Sequence, residues 1–81
     1  MTRRSGQAHI PKDLWRIAAR KLSMLDHATD LRDLATPGNN LEKLKGALAG
    51  EYSIRISDQF RIVFNSDRGE ATNVTVTDRH R

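Results

Sequence analysis

At 81 residues the chain has room for one domain and one core. Hydrophobic residues make up 37% and charged residues 30%, a balance that suits a small soluble globule and excludes a disordered tail. Without cysteine it has neither a disulfide framework nor a thiolate metal site, so stability must come from burial, completed where needed by a partner.

Fourteen Lys and Arg against ten Asp and Glu give a net charge of +4, which favours polyanions or an acidic partner. Basic residues cluster at both ends, with Arg3 and Arg4 in front and Arg79 and Arg81 behind. No apolar run approaches a membrane span, and the start lacks the apolar stretch of a signal peptide. A cytoplasmic location with no membrane contact is the default expectation.

In chain order, residues 1–9 read as a loose N-terminus. Leu14, Ile17, Ala18, Leu22 and Leu25 then fall on one helical face, and Pro11 fits a first turn, which predicts a helix over residues 11–27. Trp15 lies beside that stripe and is expected at the partly buried edge of the core. Thr29 reads as the N-cap of a short second helix carrying Leu31 and Leu34, ended by Pro37, Gly38, Asn39 and Asn40.

A basic turn with Lys43, Lys45 and Gly46 precedes two tightly alternating strands, 52–56 and 60–64. If Ser57, Asp58 and Gln59 form the loop, Ile56 faces Phe60, Ile54 faces Ile62 and Tyr52 faces Phe64. A two-residue loop would set Ile56 against Arg61 and send a charge to the core side. A turn around Ser66, Asp67, Arg68 and Gly69 leads to a third strand, 71–77, with Val74 and Val76 inward. The fold class is therefore α+β, two N-terminal helices packed on a small antiparallel sheet.

That register makes Arg55 and Arg61 neighbours on the outer face. Like charges across a ladder are tolerable if solvent screens them and useful if an anion sits between them. Lys43 and Lys45 could hold phosphate as point charges, although a basic surface turn is the plainer reading. His9 lies in the loose start and His27 at a helix end. His80 differs, because Asp78 is two residues away and arginines flank it, a setting that can charge an imidazole beside an anion. Asp78 and His80 share the parity of the inward Val74 and Val76, so the strand must end or twist for them to reach solvent. No nucleophilic triad, glycine-rich phosphate loop or metal-ligand cluster can be read.

Four blocks carry a resemblance: Leu41-Glu42-Lys43-Leu44-Lys45-Gly46, Tyr52-Ser53-Ile54-Arg55-Ile56, Phe60-Arg61-Ile62-Val63-Phe64 and Val76-Thr77-Asp78-Arg79-His80. Together they resemble the RelE/ParE toxin superfamily, and within it the HigB toxins of type II toxin–antitoxin pairs, over residues 10–80. The resemblance implies a RelE-like fold and a small endoribonuclease that enters the ribosome and cuts translated messenger RNA without metal or cofactor. It implies His80 as the proton-transfer residue, Asp78 as its support, and Lys45 and Arg61 as phosphate contacts. Lys43, Arg55, Arg79 and Arg81 would hold RNA, and a HigA-like helix-turn-helix antitoxin would be the protein partner.

Three departures stand out. A histidine of some members is Glu42 here, and the tyrosine of their terminal D-Y-H block is Arg79. Members also begin with a strand that is expected to be missing here, leaving a sheet edge open to self-association. Two other readings share the fold or the charge: a ParE-like poison of DNA gyrase, and a non-catalytic basic module binding RNA or protein.

Overall fold

A computed structural model describes residues 9–45 and 50–78. One helix, α1 (Trp15–His27), lies on a four-stranded antiparallel sheet of β1 (Glu42–Lys43), β2 (Glu51–Arg55), β3 (Phe60–Asp67) and β4 (Glu70–Asp78), in the order β1-β2-β3-β4. The α+β class is as expected, but the helix count is not.

Pro11 starts the helical region in an extended conformation, and Leu14 N–H donates to its carbonyl at 2.9 Å. A 3-10 turn, Lys12–Leu14, feeds α1, which ends where Ala28 becomes extended. Ala18, Leu25 and Ala28 are buried, and the short alanines let the helix approach the sheet closely. Leu14 and Met24 fill the margins of that contact. The rest of the predicted stripe is wetter than its periodicity suggests. Ile17 and Leu22 are each 38% exposed, and Trp15, expected at the edge of the core, is 57% exposed.

The predicted second helix is a single 3-10 turn, Leu31–Leu34, capped by Asp30 and not by Thr29. Asp30 Oδ1 accepts from Arg32 N–H at 2.8 Å, while Thr29 N–H donates to Asp33 Oδ2 at 3.1 Å. Leu31 and Leu34 are three apart, the repeat of a 3-10 turn, and Pro37 leaves too little chain to propagate an α-helix. Leu34 is nonetheless fully inside the core.

The β2–β3 hairpin adopts the predicted register, with Ile54 opposite Ile62 and Tyr52 opposite Phe64. Its loop is Ser57, Asp58 and Gln59. Ile56 and Ser57 N–H both donate to the Phe60 carbonyl, at 2.9 and 3.1 Å, and Ser57 Oγ accepts from Gln59 and Phe60. Tyr52 and Phe64 stack with centroids 6.1 Å apart.

The next hairpin is tighter than predicted. Only Arg68 and Gly69 lie between β3 and β4, both at positive φ (56° and 87°), which is the two-residue turn matching strand twist. A side chain at Gly69 would collide with the backbone carbonyl of Thr29, so the turn rests on the segment after α1.

One extra residue is accommodated in β4. Val63 pairs with Thr75 but Asn65 pairs with Thr72, and Asn73 takes a left-handed φ of 51° between them. Strict alternation would put Ala71 and Val74 on opposite faces. The bulge lets both pack on the core.

Helix-side residues Ile54, Ile56, Phe60, Ile62, Phe64 and Val76 join Ala18, Leu25, Ala28 and Leu34 in one buried cluster. No described strand precedes β1, and no described helix is long and apolar enough to cross a membrane.

Candidate functional site

The sheet face away from the helix is built from Ser53 and Arg55 on β2, Arg61 and Val63 on β3, and Thr75 and Thr77 on β4, by alternation from the core positions. Arg61 is only 7% exposed, so it is not the solvated residue that its outward parity suggests. Burying a guanidinium is costly unless its donors are met. Here Arg61 Nε donates to Ser53 Oγ at 2.9 Å and Nη2 to the Asn40 carbonyl at 2.7 Å. Glu42 Oε1 lies 3.9 Å from the same Nη2.

The sequence upstream is shaped to deliver these acceptors. Asn39 is buried, where its Nδ2 donates to the Leu34 carbonyl at 2.9 Å and meets Met24 Sδ at 3.2 Å. Its Oδ1 accepts from Lys21 Nζ at 2.6 Å, so this one amide ties the Pro37–Asn39 turn to α1. Asn40 then takes a left-handed conformation, φ 48° and ψ 52°, which a short amide side chain tolerates. That reversal aims its carbonyl at Arg61 and starts β1, where Glu42 pairs with Ser53. Lys21 pays for its position: burial first, then the nearby charges of Arg20 and Arg55, hold its ammonium pKa below the usual lysine value.

Arg55 stands opposite Arg61 in the ladder, as the register requires. The two guanidiniums avoid each other by taking separate partners, since Arg55 Nη2 pairs with Asp58 Oδ1 at 2.6 Å in the hairpin loop. Lys43 does not join them. It pairs with Tyr52, which puts it on the helix-side parity as an exposed edge residue, in a short strand and not in the predicted turn. Lys45 is exposed just past β1, whose pairing continues through Leu44 N–H to the Glu51 carbonyl at 2.8 Å. Gly46 lies outside the described residues.

Asp78 closes β4 opposite Phe60, while its neighbour Thr77 stands opposite Arg61. It is exposed, as a residue of inward parity can be only where the strand ends, and its Oδ2 accepts from Gln59 Nε2 at 3.3 Å. Arg79, His80 and Arg81 lie outside the described residues. His27 Nδ1 is 2.8 Å from the Ser23 carbonyl, to which it must donate, and belongs to the end of α1.

Sequence reading missed Asn39, Asn40 and Ser53 as the residues that seat Arg61. The Pro37–Asn39 stretch and Asn40 read only as a helix stop. Two successive asparagines after Pro-Gly were the available signal, since one suits a buried amide and the other a left-handed turn.

Residues 3–80 match the family described as the RelE-like toxin of the type II toxin–antitoxin system HigB. Toxin HigB-1 of Vibrio cholerae is 41% identical over 73 residues, covering 89% of this chain and 76% of that protein. An uncharacterized protein of Haemophilus influenzae is 35% identical over 72 residues, covering 85% of this chain and 71% of its own length. A match across nearly the whole chain, on an α+β fold with an antiparallel sheet, leaves one assignment: the chain belongs to the RelE-like HigB toxins of type II toxin–antitoxin systems.

Proposed function

We propose that this toxin cleaves translated messenger RNA on the ribosome by metal-independent attack of a ribose 2′-OH on the adjacent phosphate. His80 transfers the proton and Asp78 orients it. Lys45 and Arg61 stabilise the charge that develops on the phosphate oxygens, and Lys43, Arg55, Arg79 and Arg81 hold the RNA backbone. In this chemistry the 2′ oxygen forms a bond to phosphorus as its proton leaves, and the 5′ oxygen of the next nucleotide departs as it gains one. A HigA-like helix-turn-helix antitoxin keeps the activity in check.

The observation that carries this reading is the register of β3 with β4. Thr77 sits opposite Arg61 and its hydroxyl lies 3.5 Å from the Arg61 carbonyl, so the strand leading to Asp78 runs directly alongside the buried arginine. Arg61 itself is preorganised by Ser53 and Asn40, which lowers the cost of presenting a fixed positive charge. A net charge of +4 adds attraction for a polyanion.

Programmed ribosomes provide the test. The wild-type toxin should produce defined cuts in the message, and His80→Ala should slow them by about 10²-fold or more, with an unchanged thermal melt. Intact message after incubation of wild type with translating ribosomes would sink the proposal. Inhibited supercoiling by purified gyrase in a parallel reaction would move the assignment to the ParE-like activity.

A further inference from the structure

Lys21 holds a cation in a place that disfavours one. It is partly buried beside Arg20 and Arg55, and among the described residues no carboxylate pairs with it. What keeps its ammonium there is a pair of acceptors on the turn after Leu34, Asn39 Oδ1 at 2.6 Å and the Gly38 carbonyl at 3.1 Å. Attraction between charges does not explain that placement, but a need to fix Asn39 does.

Asn39 passes the constraint along the chain. Only 1% exposed, it is held by the Lys21 contact, by its Nδ2 donating to the Leu34 carbonyl at 2.9 Å, and by its N–H donating to the Thr36 carbonyl at 3.0 Å. Asn40 follows at φ 48° and ψ 52°, a conformation that a residue other than glycine keeps only where its surroundings over-determine it. Asn39 anchors it on one side, and on the other the chain enters β1, where Glu42 pairs with Ser53. The Asn40 carbonyl, fixed between them, accepts from Arg61 Nη2 at 2.7 Å. Arg61 Nε has a separate anchor within the sheet, Ser53 Oγ at 2.9 Å. With Nε alone held, the guanidinium plane can still turn about the Cδ–Nε bond, and the Nη2 contact opposes that rotation.

We propose that Lys21 and Asn39 are positioning residues for Arg61, setting the plane of its guanidinium through the Asn40 carbonyl. Neither touches the reacting atoms. Their effect on rate comes from a donor that is oriented before charge develops on the phosphate, so that none of the reorganisation falls within the reaction step. The bearing on rate rests on the cleavage reading above, whereas the orientation of Arg61 is a property of the free toxin. A tie that served stability alone would, when broken, loosen the turn and the sheet together. A positioning tie loosens the Nη2 end of Arg61 and leaves its Nε end and the sheet as they were.

Nuclear magnetic resonance of free toxin carrying isotope-labelled arginine separates these, with the Arg61 signals identified by their loss in Arg61→Met. Lys21→Met removes the ammonium but keeps the aliphatic stem at a partly exposed position, so the fold should survive, as circular dichroism would verify. Rotation of the Arg61 Nη groups should quicken by about 10-fold or more, while exchange of the Nε–H and of the Ile62 amide stays within about 2-fold of wild type. Asn39→Leu should do the same where it folds, and Lys21→Met decides the matter where it does not. On programmed ribosomes, Lys21→Met should lower the cleavage rate at saturation by about 10-fold and leave KM unchanged. Added to Arg61→Met it should cost nothing further, because it acts through that residue. Unchanged Nη rotation, equal loosening at Nε and Ile62, or cleavage at the wild-type rate would overturn the proposal. So would a raised KM or an additive loss in the double variant, since Lys21 would then meet the RNA itself. Message left intact by wild type would remove the cleavage reading, and the labelled guanidinium would still decide whether Lys21 orients Arg61.

Discussion

On its helix side the sheet is aliphatic and aromatic, and Ile54, Ile62 and Phe64 are sealed against α1 and Leu34. On its other side the same strands surround a buried arginine that donates to Ser53 on the neighbouring strand and to the carbonyl of Asn40 in a turn far upstream. One face stores stability in non-directional burial, which tolerates small shifts in any single neighbour. The other spends polar contacts to hold one charge in one place, and its geometry is all-or-none. Positional accuracy of charge, more than added stability, is what the second face gains.

Truncating each face should separate the two roles. Phe64→Ala removes a ring that is fully buried and stacked on Tyr52. It should cost about 3–5 kcal/mol, enough to leave a domain of this size largely unfolded at 37 °C in a thermal melt. Arg61→Met should cost less, about 1–3 kcal/mol, because it leaves Ser53 Oγ and the Asn40 carbonyl short of a partner but keeps the side-chain volume. Its signature should be local. Hydrogen exchange should accelerate at the Leu44 amide, which closes β1 on Glu51, well before it changes at Ile62 in the centre of the sheet. Uniform loss of protection in Arg61→Met would erase the distinction between the faces.

The helix-side face was largely legible in the sequence, and the reason is periodicity. Alternation in β2 and β3, with one loop length that keeps Arg61 off the core side, was enough to place Ile54 against Ile62. Where the structure departs, periodicity is the wrong guide. Glu42 and Lys43 make a two-residue polar strand whose pairing is decided by the neighbouring β2 edge and not by its own residues. Asn73 breaks the alternation of β4 at a residue that tolerates left-handed backbone. Leu31 and Leu34 satisfy a 3-10 turn as well as a helix.

Of the candidate site, the composition of the outer face was legible but its burial was not. An arginine at an outward position reads as solvated, and the path of Asn39 and Asn40, set by contacts distant in sequence, is what brings the Asn40 carbonyl onto Arg61. That path also separates Lys43 from Arg61, although a shared basic turn would have kept Lys43 and Lys45 together.

Lys21 marks the seam between the two regions, and its titration gives the subtlest check. It donates to Asn39 Oδ1 and to the Gly38 carbonyl, yet burial and the charges of Arg20 and Arg55 lower its pKa from the usual 10.5. Between the folded value and 10.5 the unfolded chain therefore binds more protons than the folded one, so stability rises with pH across that window. Below it both states carry the charge, and the folded protein bears the full penalty of holding an ammonium among two guanidiniums. In Lys21→Met the penalty and the titration both vanish, together with the link to Asn39. The melting temperature of wild type relative to Lys21→Met should thus climb as pH is raised from neutrality toward 10.5, a smaller change than either truncation produces. A relative melting temperature that falls over this range would mean that the ammonium's hydrogen bonds to the Pro37–Asn39 turn outweigh its desolvation, and the seam would then be a clamp that strengthens with charge.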